Sequence, residues 1–316
     1  MKKGDYMKSK KGELILLLAS VLWGTCFVFQ KMGMDYIGPF TLGAFRFLIG
    51  GVALIPVMIL FDRMGKKINS EGQEHQEHQE RQEINKGFKD KELYIGGGLC
   101  GTALFAAASL QQIGLQYTTA GKAGFITSLE IVLVAAIFIF ISKKVQINVV
   151  VGVTLAVIGM YLLCMVEGFY LEKGDIYELM GVVFWAMQIL VIDRYAKKVD
   201  VIKLSFIQFM TTGILSCVFM FVFENPHWSE ILSGVVPILY TAIIEVAVAY
   251  TLQMIGQKYT QPDVASVILS LESVFAVISG VIILGEKLSF REFLGCVFMM
   301  AAIIITQLPK RDKNKN

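Results

Sequence analysis

Apolar residues run through this chain in long blocks, and the charged residues lie mostly in short stretches between them. The blocks fall near 13–33, 38–60, 93–115, 119–141, 145–165, 175–195, 203–223, 235–257, 262–284 and 289–308. Each is close to the ~17–25 residues a helix needs to cross a bilayer. Most are apolar all round, with no stripe that singles out a buried face. Barrel strands would instead alternate over about 10 residues. The pattern predicts an all-α membrane protein with ten transmembrane helices.

Composition agrees. Hydrophobic residues make up 55% of the 316 before glycine is counted, and charged residues only 17%. Soluble domains average about 45–50% apolar with glycine included. With the N-terminus placed in the cytoplasm, the inner loops and tails hold 23 Lys and Arg against 5 in the outer loops. That bias predicts both termini inside. The net charge of +3 belongs to this cytoplasmic rim and gives no reason to expect nucleic acid as a partner. The first residues resemble a secretory signal, but span one is read as retained because its tryptophan has a counterpart later in the chain. The five cysteines all lie in apolar runs without metal-ligand spacing, as small hydrophobes do.

Two runs repeat. The stretch 110-LQQIGLQYTTAGKAGFITSLE-130 aligns with 252-LQMIGQKYTQPDVASVILSLE-272, with eleven identities in 21 positions and no gap. Earlier positions repeat at an offset of 162 rather than 142: Trp23 falls on Trp185, Phe47 on Phe209 and Gly51 on Gly213. The 20-residue difference matches a polar insert in the first half, which contains 71-EGQEHQEHQERQE-83. His75 and His78 in that tract have no organised ligand spacing, so it reads as a solvated cytoplasmic insert. The expected organisation is a tail at 1–12, a five-helix repeat at 13–165 with the insert at about 65–92, a second at 166–308, and a tail at 309–316. An odd number of helices per repeat inverts one half against the other. Two inverted five-helix repeats are a signature of secondary transporters.

At this point the residues resemble a family. Trp23-Gly24 in span one, Pro39 with Arg46 and Phe47 opening span two, and 270-SLESVFAVISGVIILGE-286 look like the EamA family of the drug/metabolite transporter superfamily. The resemblance covers both halves. Ser273 stands where the family pattern has proline, so a kink at that point is not carried over; Gly285-Glu286 is kept. The resemblance implies a multi-pass carrier in the plasma membrane, often an exporter of amino acids, other metabolites or drugs, working without a cofactor.

The candidate site residues are polar or aromatic groups inside the spans. Glu130 and Glu272 each come near the centre of a ~30 Å core. A charge there costs at least ~2.5–3.5 kcal/mol on insertion scales, so each faces the protein interior or a water-filled cavity. They either bind substrate or carry protons, or they hold the two halves together as bonded acids. Thr127 lies one turn from Glu130. Glu245 has Ala103 as its repeat partner, so symmetry does not account for it; it is either a ligand or proton contact or helix-packing glue, with Thr241 one turn away. Arg46 sits about 10 Å from the outer edge; it either snorkels outward or pairs with a cavity acid. Trp23 and Trp185, with Gln30 and Gln188 on their faces, are pocket walls or packing. Gly97 and Gly101 permit close helix contact.

No nucleotide-binding P-loop appears, so ATP is not the expected direct energy source, and the midplane acids make proton exchange the expected drive. The substrate is a small molecule and the solvent a lipid bilayer; a homodimer is left open. An importer or exchanger is the alternative within the class. A membrane enzyme would need nucleophiles or metal ligands at one interface, yet all three histidines lie outside the spans. A channel or a sensor would differ by ion current or by binding without movement.

Overall fold

A computed structural model describes residues 3–70, 87–117, 126–142, 147–164, 172–284 and 289–306. Among these every regular element is a helix. The order is α1 (Lys3–Met34), α2 (Pro39–Ser70), a 3₁₀ turn (Gly87–Lys89), α3 (Lys91–Gly114), α4 (Glu130–Ser142), α5 (Ile147–Cys164), α6 (Lys173–Tyr195) and α7 (Val201–Phe223). There follow α8 (Trp228–Ser233), α9 (Val235–Tyr240), a π-helical stretch (Thr241–Tyr250), α10 (Thr251–Gln257), α11 (Pro262–Leu269), α12 (Glu272–Leu284) and α13 (Phe290–Thr306).

Among the described residues, seven helical segments are long and apolar enough to cross a membrane. Glu130–Phe140 and Ile147–Leu162 are shorter apolar stretches. Helix starts follow local chemistry. Asp200 accepts from the backbone N–H groups of Ile202 and Lys203, and Asp90 does the same for Glu92, satisfying donors the first turn leaves orphaned. Of the insert expected at about 65–92, residues 71–86, with His75 and His78, lie outside the described residues, as does the Gly285-Glu286 pair, while α2 runs on to Ser70 and α3 begins at Lys91.

Burial is inverted relative to a water-soluble protein. Phe221 is 76% exposed and Ile282 76%, while Gln188, Gln208 and Ser205 are fully buried. In lipid this is the stable arrangement, since apolar side chains meet hydrocarbon and polar groups must find partners inside. α3 packs against α6 and α7, α2 against α7 and the π-helical stretch, α1 against α12 and the α9–α10 rod, and α5 against α13. The α3–α7 contact uses the Gly97/Gly101 pair: a Cβ on Gly101 would lie 2.6 Å from the Gln208 carbonyl oxygen. Thr212 Oγ1 donates to the Gly101 carbonyl at 2.9 Å across the same contact.

Two of the expected continuous spans are interrupted. At Ser128-Leu129 and at Ser270-Leu271 the chain makes a turn, and α4 and α12 begin on the following glutamates. The turns are tightened by i→i−3 bonds, Leu129 N to Ile126 O at 3.0 Å and Leu271 N to Ile268 O at 3.2 Å. The lost family proline therefore does not leave span nine straight. Ser270 bonds its hydroxyl to the Val267 carbonyl at 2.8 Å, the local competition with the backbone by which serine unsettles a helix.

Candidate functional site

α1, α3, α6, the π-helical rod and the two Ser-Leu-Glu turns converge on one cavity. Its lining takes Trp23, Phe27 and Gln30 from α1, Gln111 from α3, and Trp185, Gln188 and Ile189 from α6. Glu245, Tyr250 and Gln253 come from the rod, and Thr127, Ser128, Glu130, Leu269, Ser270 and Glu272 from the turns. The first turn touches the start of α12, with Ser128 Oγ and Ser273 Oγ 3.4 Å apart. Residues 142 apart in sequence thus present their glutamates to the same space.

Arg46 pairs with Glu245. Its Nη1 donates to both carboxylate oxygens, at 3.1 and 3.3 Å, and both side chains are 2% exposed. Snorkelling is thereby set aside: the guanidinium points inward and also lies 4.9 Å from the centre of the Phe47 ring. Arg46 stands behind Glu245 and is not part of the cavity wall. Thr241 is not part of it either. Its hydroxyl bonds back to the Pro237 and Ile238 carbonyls, at 2.8 and 3.1 Å, within its own helix.

Aromatic rings form one side. Tyr250 packs edge-on against Trp23 at 4.8 Å between centroids and parallel to Trp185, 6° apart at 6.5 Å. Phe47 and Phe209 close around the same tyrosine at 6.1 Å each. The indole Nε1 of Trp23 and that of Trp185 are buried donors without a partner among the described residues. A buried donor left unpaired costs stability, so these two are available to a ligand.

Amides form the other side. Gln188 and Gln253 exchange hydrogen bonds at 3.2 and 3.4 Å, and Gln112 donates to Gln30. Gln111 Nε2 reaches Thr127 Oγ1 at 3.4 Å, and Thr127 Oγ1 donates to Glu178 Oε2 at 2.8 Å. Glu178 itself is 1% exposed.

Of the residues singled out from sequence, Trp23, Trp185, Gln188, Thr127, Glu130, Glu245 and Glu272 line the cavity, Arg46 supports it, and Thr241 does not reach it. Tyr250, Gln111, Gln253 and Glu178 were not foreseen. Gln111 and Gln253 carried a signal, since they are an identical pair in the repeat. Glu178 is an acid in an apolar run and could have been found on that ground. Tyr250 had no signal of its own. At α-helical spacing it stands about 140° round the helix from Glu245. The wider i→i+5 turn of the π-helical stretch brings the two towards one face.

The cavity volume is about 40 Å³, room for about three waters at the ~10–15 Å³ each needs. A larger ligand enters only if the walls move apart.

The family profile described as "EamA-like transporter family" matches residues 10–165 and again 172–308. An uncharacterized transporter of Archaeoglobus fulgidus is 32% identical over 303 residues, covering 96% of this chain and 87% of its own. The uncharacterized transporter YetK of Bacillus subtilis is 24% identical, covering 98% and 91%. One solved crystal structure superposes with a TM-score of 0.74 at 18% identity, over 94% of this chain and 96% of its own. That likeness shows the fold alone.

Proposed function

Since the chain belongs to the EamA-like transporter family, a multi-pass membrane transporter, we propose that it is a secondary carrier whose transport site is the cavity holding Glu130 and Glu272. Two inverted halves, 13–165 and 166–308, rock about this site and open it to one side of the membrane at a time, with both termini in the cytoplasm. The observation that carries the reading is the meeting of the two interrupted segments, with Ser128 of the first turn 3.4 Å from Ser273 just beyond the second, at a cavity lined by both glutamates. The small volume supports alternating access, because no metabolite fits until the walls separate. Interrupted helices that turn backbone ends towards a midplane site are a device of such carriers.

Protons are the favoured drive. Three acids line the cavity, and Thr127 links it to Glu178 through a 2.8 Å hydrogen bond, so a proton has carboxyl groups to occupy while substrate is absent. Export of an amino acid, a similar small metabolite or a drug is what the family resemblance suggests.

Counterflow in proteoliposomes tests this. The purified protein is given a labelled amino-acid and metabolite panel without an ion gradient, beside Glu130→Gln, Glu245→Gln and Glu272→Gln. Exchange by the wild type, lost or changed in specificity in a variant that still folds, is the expected result. Exchange indifferent to all three changes would return the glutamates to structural roles.

A further inference from the structure

We propose that the cavity selects compact organic cations, an ammonium on an apolar or aromatic body, above zwitterions, and rejects anions. This names the substrate class of the proposed transport site and rests on that reading. The first ground is charge. Glu130, Glu245 and Glu272 line the cavity, and no Lys, Arg or His among the described residues does. The nearby cation, Arg46, is fully buried behind Glu245 with Nη1 spent on both of its oxygens. An anionic ligand would be desolvated beside acids with no opposite charge to pair with, which is costly. An ammonium brings N–H donors, and a carboxylate accepts them in charge-assisted bonds.

The second ground is the aromatic side. Trp185 and Tyr250 lie parallel with centroids 6.5 Å apart, and Trp23 stands edge-on to the same tyrosine. A cation in this cavity lies among three aromatic rings, and ring quadrupoles attract a cation within ~6 Å of a ring centre. The same rings suit an apolar body. The two unpartnered indole N–H groups and the glutamine amides supply neutral donors for a hydroxyl or carbonyl. They carry no charge to compensate a free carboxylate, which is why zwitterions rank below cations.

A series of one body with three charges tests this: 2-phenylethylamine, phenylalanine and 3-phenylpropanoate. Binding is read from saturable quenching of Trp23 and Trp185 fluorescence in purified protein. Trp228, 73% exposed and outside the cavity, is replaced by phenylalanine to silence it. The expected order is the amine about tenfold or more tighter than the amino acid, with no saturable quenching by the carboxylate. In Glu130→Gln and Glu272→Gln the amine's advantage over the amino acid shrinks by a similar factor. Equal affinities, a preference for the carboxylate, or no binding of the amine would overturn the proposal. Binding in the expected order without counterflow of the amine would instead overturn the carrier reading and leave the charge preference standing.

Discussion

Removing one member of the Arg46–Glu245 pair should cost far more than removing both. The pair is sealed from solvent on both sides, 2% exposed, with Nη1 bonded at 3.1 and 3.3 Å. Arg46 Nε already lacks a partner among the described residues. Arg46→Met leaves a buried carboxylate, and Glu245→Leu leaves a buried guanidinium; each should cost about 3–5 kcal/mol. The double variant exchanges both charges for apolar groups of similar length, and such replacements are often neutral or stabilising. It should therefore recover to within about 1 kcal/mol of wild type, a coupling of several kcal/mol. The assay is thermal unfolding in detergent, followed with a thiol-reactive dye that reports exposure of the buried Cys26 and Cys100. Single variants should melt roughly 10 °C lower. If the double variant falls by the sum of the singles, the two residues do not act as a pair and the geometry argument fails.

Two further outcomes follow from local packing. Glu224 caps α2 from the end of α7, accepting from Phe40 N and Thr41 N at 2.8 Å each and from Thr41 Oγ1 at 2.6 Å; Glu224→Ala should lose about 1–2 kcal/mol. Glu224→Gln, which keeps an acceptor, should lose less in the same melt, and equal losses would contradict the capping role. On α3, Gly98→Ala meets nothing within 4 Å and should stabilise by up to about 0.5–1 kcal/mol. Three residues on, Gly101→Ala would place its Cβ 2.6 Å from a backbone oxygen of α7 and should destabilise by about 1–3 kcal/mol. The two glycines behaving alike would refute the close α3–α7 contact.

Hydropathy made the apolar helices legible because a bilayer demands them over a fixed length. The repeat made Glu130 and Glu272 legible because both sit on one matching motif, and the cavity receives both. The interruptions were not legible. A turn closed by i→i−3 bonds at Ser128-Leu129 uses the same residue types as an unbroken helix, and proline, the residue that announces a break, is absent there. The π-helical stretch is equally silent, since Thr241–Tyr250 is an ordinary apolar sequence. Tyr250 was missed for that reason.

Partnership is the other thing a single sequence withholds. Desolvation states that Arg46 needs an acceptor inside the protein or a route to the headgroups, but not which of the two it takes. The choice was made 199 positions away by Glu245, and what made it is the closeness of two helices. One turn beyond Arg46 on α2, Gly50 faces the π-helical stretch so tightly that a Cβ would lie 2.7 Å from the Ala242 carbonyl oxygen. A larger residue at 50 would hold the helices apart and lengthen the reach from Arg46 to Glu245. The glycine and the ion pair are therefore one device: the absent side chain sets the helix spacing at which the long one meets its acid.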